Sequence, residues 1–142
     1  MRRGISFLFL LTLALGCVTA KSVRPATMPQ PEIAARLVHP LHFGSGDTAP
    51  ATIEVRVTNR GQVPIMARRV EIESPGMRQY TLDRGVRDFR ETIQPGETKA
   101  LTVFSRATAL TTVNPDEPLM IRAIVELSAG ESVWREVIMM RQ

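Results

Sequence analysis

The sequence predicts an all-β domain, a sandwich of seven to eight short antiparallel strands behind a removable leader and a flexible linker. Three observations predict it. Apolar and polar residues alternate at period two in stretch after stretch, proline-glycine and asparagine-glycine clusters interrupt those stretches, and no segment carries an amphipathic helical period.

A first strand is expected near Ile33 to Val38. The clearest one is "ATIEVRVTN", residues 51–59, where Ile53, Val55 and Val57 point one way and Glu54, Arg56 and Thr58 the other. Asn59, Gly61 and Pro64 mark a loop, after which "RRVEIES" resumes the alternation with Val70 and Ile72 inward. Ser74-Pro75-Gly76 stops it, because proline suits the first central position of a turn and glycine the φ > 0 position after it. A middle pair is expected around Tyr80–Leu82 and Phe89–Ile93. Gln94-Pro95-Gly96 repeats the turn grammar and leads into "TKALTVFS", with Leu101 and Val103 inward. "LMIRAIVEL" then offers Ile121, Ala123, Val125 and Leu127 on one face, and "SAGE" turns the chain into "SVWREVIMMR". Strands at this spacing over about 110 residues point to an immunoglobulin-like sandwich.

The last strand holds a conflict. One register buries Val133, Val137 and Met139 but drags Arg135 inward; the other buries Trp134, Ile138 and Met140 and drags Glu136. A bulge near Arg135–Glu136 would switch faces and bury the best of each half. Alternatively one apolar row stays outside near a sheet edge, where it would meet a partner, with Trp134, Ile138 and Met140 as the expected contact residues and Trp134 as the anchor.

At the amino end, Arg2 and Arg3 precede the apolar run Ile5–Leu15 and small Gly16, the order of a secretory signal. As a helix that run would be roughly 16 Å long, about half a bilayer core, too short to stay as a spanning anchor. Leu13, Ala14, Leu15 and Gly16 lead directly into Cys17, the only cysteine. This resembles the lipobox of bacterial lipoproteins, with Ala14 then Leu15 where a leucine followed by a small residue is commoner. The resemblance covers the first 17 residues. It implies that the Cys17 sulfur receives a diacylglycerol, that cleavage follows Gly16, and that the freed amine is acylated. Two or more acyl chains hold a protein on a membrane where one does not. Val18, and no aspartate, follows Cys17, which in that family favours the outer membrane of a Gram-negative envelope. The chain thus divides into a leader at 1–16, a lipidated cysteine and proline-containing linker at 17–31, and a domain at 32–142.

The domain shows no recognisable chemistry. Loss of Arg2 and Arg3 reduces the formal charge from +4 to +2, and the remaining arginines alternate with glutamates instead of forming a phosphate-binding stripe, so no nucleic-acid partner is expected. His39 and His42 in "VHPLHF" would point to opposite sides of an extended strand, which argues against a shared metal. Lipidation of Cys17 removes the thiolate that a copper site would need. Ser45 lacks the context of a nucleophile elbow, and Asp83, Asp88 and Glu91 are interleaved with arginines that would neutralise a calcium site. No cofactor and no enzymatic activity are expected.

"IEVRVTNRGQVPI", "RRVEIESPG" and "ETIQPGETKALTV" resemble the strand, loop and proline-glycine-turn grammar of bacterial immunoglobulin-like or fibronectin-III-like domains, and of the water-stress and late-embryogenesis domain. The resemblance implies fold and transfers no functional residue. The functional expectation is a lipid-anchored envelope protein that binds or positions another envelope protein; the alternative is a glycan- or peptidoglycan-binding module, which would want exposed aromatic platforms.

Mass spectrometry of the mature amino terminus tests the leader. The expected product begins at an acylated Cys17; an unmodified Cys17, or a terminus after Ala20, contradicts it.

Overall fold

The alternating stretches are strands in the computed structural model, which describes residues 23–75, 80–109 and 119–141. Cys17 and Gly76 lie outside the described residues. The strands are β1 (Glu32–Leu37), β2 (Thr48–Thr58), β3 (Ile65–Glu73), β4 (Tyr80–Leu82), β5 (Gly85–Ile93), β6 (Thr98–Ala109), β7 (Met120–Ala129) and β8 (Ser132–Arg141). They form a front sheet in the order β1-β2-β6-β4 and a back sheet in the order β5-β3-β7-β8, every neighbouring pair antiparallel. The expected all-β sandwich is what the chain forms, with eight antiparallel strands in two facing sheets.

Alternation places the core. Ile53 and Val55 of β2 sit opposite Val103 and Leu101 of β6, and that row faces Val70 and Ile72 of β3 and Ile121, Val125 and Leu127 of β7, all essentially inaccessible to solvent. β3 carries a feature that its sequence contains but the reading of Val70 and Ile72 alone misses. Ile65 and Ala67 are also buried, so the inward parity changes between Ala67 and Arg69, and the register against both neighbours shifts there. One extra residue is what a β-bulge supplies.

β5 starts at Gly85, four residues before the expected Phe89, and β2 starts at Thr48 instead of Ala51. The chain leaves β4 in the front sheet and enters β5 in the back sheet at Gly85. A Cβ there would lie 2.8 Å from the Phe104 carbonyl oxygen and 2.9 Å from Ile72 Cγ1, so only glycine lets the crossing strand pass this close. The Gln94–Glu97 turn closes with a bond from Glu97 N–H to Gln94 O of 2.9 Å and Gly96 at φ +78, as a type II turn requires. Buried Asn59 ties this end together, donating from Nδ2 to Val63 O and Ile93 O and accepting from Gly61 N–H.

The final strand resolves its conflict without a bulge. β7 and β8 pair in unbroken register from Ala129↔Ser132 to Met120↔Arg141. Trp134 is 0% exposed and lies in the core, with Ile138 and Met140 packed against it. Glu136 therefore faces inward too. Segment 24–31 answers it: Arg24 Nη1 reaches Glu136 Oε1 at 3.1 Å and Gln30 Nε2 donates to Oε2 at 3.5 Å, while Met28 packs on the core and Pro31 is buried. These residues, expected to be free linker, line the seam where β1 meets β8, and there Ala35 N–H donates to Met140 Sδ at 2.8 Å.

Among the described residues Trp134 Nε1 is buried with no hydrogen-bond partner, so it is the volume of the indole that stabilises the core. Trp134→Ala is expected to cost about 3–5 kcal/mol, and Trp134→Phe distinctly less because no hydrogen bond is lost. Denaturant melts of both variants check this; equal losses would mean that the indole N–H carries the effect.

Candidate docking surface

The same alternation that fills the core determines the outer face of the back sheet. Cross-strand register arranges its outward residues in rows. One row is Asp88, Arg69, Glu126 and Arg135, running from β5 through β3 and β7 to β8. The next is Val86, Glu71, Ile124 and Val137, and the third, without a β5 member, is Glu73, Arg122 and Met139.

The charged row is a ladder of alternating sign. Arg69 Nε donates to Asp88 Oδ1 at 2.6 Å, and Arg135 Nη2 lies 3.1 Å from Glu126 Oε2. The hydrogen bond from Arg69, with the attraction of its charge, holds the Asp88 carboxyl below the usual carboxylate range, and the same pairing raises the Arg69 guanidinium. In the middle row Glu71 is only 8% exposed, between Val86 and Ile124, and its carboxylate pairs with Arg84. Arg122 pairs with Glu73. The apolar members stay outside: Val137 is 58% and Met139 52% exposed, and Val86 and Met66 are exposed as well.

The expected contact residues and the observed surface are thus opposite rows of one strand. Trp134 is core, and Ile138 and Met140 are half-buried against it, because the indole fills the space between the sheets and Arg24 and Gln30 make an inward Glu136 tolerable. The apolar row left outside is Val133, Val137 and Met139. The parity of β7, with buried Ile121, Ala123, Val125 and Leu127, could have found the register once β7 and β8 were read as a tight hairpin, since each β8 residue shares the face of its partner.

Elsewhere, His39 and His42 are exposed in the loop between β1 and β2, with His42 Nδ1 2.9 Å from Pro40 O. Among the described residues no three histidine, cysteine or acidic side chains gather where a metal could sit. Phe104, on the outer face of the front sheet, is 66% exposed and borders an open groove of about 680 Å³ with Pro50, Asp83, Ser105 and Arg106. No helix among the described residues is long and apolar enough to cross a membrane.

No family model and no curated protein matches the chain. Solved structures with a similar course include a FixG-related protein from Vibrio parahaemolyticus, with TM-score 0.38 and 12% identity over 79% of this chain and 95% of that one. A protein from Archaeoglobus fulgidus gives TM-score 0.45 and 16% identity over 80% and 94%. The GAE domain of yeast GGA1 gives 0.44 and 11% over 77% and 98%.

The Arg69–Asp88 pair contributes stability above the unfolded carboxylate pKa and loses it as the pH falls through the lower folded value. Arg69→Gln is expected to move the Asp88 midpoint up toward the ordinary carboxylate range, read by NMR titration of the carboxyl; an unmoved midpoint contradicts the pairing.

Proposed function

We propose that the chain is a lipid-anchored protein of the bacterial envelope whose sandwich binds or positions another protein and performs no catalysis. The observation that carries the binding half is the outer face of the back sheet, where Val86, Val137 and Met139 remain exposed on one surface. Apolar side chains gathered on one face mark interaction sites more often than scattered ones do. Support for the anchor is the order of Arg2 and Arg3, the Ile5–Leu15 run, Gly16 and Cys17. With Val18 next, outer-membrane sorting is favoured over inner in a Gram-negative envelope. Because Arg24 is already held on Glu136, the chain between Cys17 and the domain would span at most roughly 25 Å. The domain would work close to the headgroups.

A second reading, a glycan- or peptidoglycan-binding module, is favoured by Phe104, an exposed aromatic beside Asp83 and Arg106. The two readings use opposite faces of the sandwich. Capture from envelope membranes with the tagged chain, followed by identification of what is captured, and a glycan array run in parallel separate them. The expected result is protein capture that Val137→Glu abolishes and Phe104→Ala leaves intact. Saturable sugar binding that Phe104→Ala abolishes, with no protein captured, would establish the second reading instead.

A further inference from the structure

We propose that the outer face of the back sheet pairs with a second copy of this chain, about a two-fold axis that runs parallel to the strands between β3 and β7. The proposal rests on the reading of this face as a docking surface and is independent of the lipid anchor.

Charge order is the reason. A two-fold axis lying in the interface and parallel to the strands keeps each row opposite itself and reverses the strand order, so β5 meets β8 of the second copy and β3 meets β7. The ladder Asp88, Arg69, Glu126, Arg135 reads minus, plus, minus, plus across the sheet. Reversed, it reads plus, minus, plus, minus. Asp88 then faces Arg135 of the second copy, and Arg69 faces Glu126 of the second copy. In the next row Val86 meets Val137 of the second copy, apolar on apolar. In the third, Glu73 meets Arg122 of the second copy. The remaining contact of the middle row sets Glu71 against Ile124 of the second copy, and Glu71 already has Arg84 as its cation. No charged residue in the three rows meets its own sign, which is what a surface selected for an isologous contact requires and what like-charge penalties would otherwise forbid.

Two twisted sheets stack well when their strands stay within about 30° of alignment, and an axis parallel to the strands produces that arrangement. Four strands at about 4.8 Å spacing and three rows about 6.8 Å apart give a footprint of roughly 400 Å² per copy. That is smaller than standard specific interfaces and belongs with weak, transient pairings, so the pairing is expected at tens of micromolar or above, a concentration that confinement to a membrane would supply locally.

The test exchanges the signs of the whole ladder in the full chain: Asp88→Arg, Arg69→Glu, Glu126→Arg and Arg135→Glu together. Alternation along the ladder is kept and only the exposed 4.0 Å contact of Arg68 with Glu126 is lost, so the fold is preserved, and each species still complements itself. Between wild type and the exchanged chain, every ladder contact becomes like on like. Mixed in detergent and read by native mass spectrometry, the two species are expected to form their own dimers, with mixed dimers depleted about tenfold below statistical proportions, equivalent to about 1.4 kcal/mol. Val137→Glu, at an exposed position, is expected to leave a folded monomer. Statistical mixing, as from micelles that merely hold two chains, would overturn the proposal, as would a wild-type chain that stays monomeric up to about 100 μM. Capture of a different protein through Val137 together with either of those results would leave the binding reading standing and remove the self-pairing.

Discussion

Burial of Trp134 between the two sheets is the interaction on which the rest depends. Side chains on a strand alternate, so committing one residue of β8 commits all ten. With the indole inside, Ile138 and Met140 follow it against the core, and Glu136 comes along at a position where a carboxylate has no business without a partner. Arg24 and Gln30 provide that partner. The opposite parity turns Val133, Arg135, Val137 and Met139 outward, which completes both the apolar row and the charge ladder of the back sheet.

Segment 24–31 gains a structural role from the same constraint. Its contacts are an ion pair at the seam, a core methionine and a buried proline, which hold the beginning of the described chain to the edge of the sandwich. The edge strands β1 and β8 flank that seam, and an exposed edge invites unwanted strand pairing. A segment lying along it covers the edge while neutralising Glu136. The opposite side is protected differently: β5 carries Arg87, Asp88, Arg90 and Glu91, and Arg87 Nη1 donates to Thr102 O of β6 at 2.8 Å.

Period two made most of the fold legible in the sequence. β2, β6 and β7 each present one apolar face, and the inward residues expected for them are those that are buried. The turns at Gln94–Glu97 and Ala129–Ser132 were legible because glycines at positive φ are required there. Less legible were features that depend on residues distant in sequence. Gly85 is demanded by the Phe104 carbonyl and the Ile72 side chain, neither of which a local pattern reveals. The register of β8 was ambiguous because its two rows are about equally apolar; the parity of β7 carried across the hairpin sets it, and the cation that makes the inward Glu136 tolerable, Arg24, lies 112 residues away. The docking face was hidden for the same reason. A row such as Asp88, Arg69, Glu126 and Arg135 exists only once four strands have been put side by side, so no scan along the chain could display its alternating sign.

Trp134 is the only tryptophan in the chain, which makes its own fluorescence the most direct measurement of this account. Emission from the native protein is expected to be blue-shifted and poorly quenched by acrylamide, and both properties should be lost on unfolding. A red-shifted, freely quenched native spectrum would place Trp134 at the surface, reverse the parity of β8, and contradict the assignment of Val137, Met139 and Arg135 to the outer face.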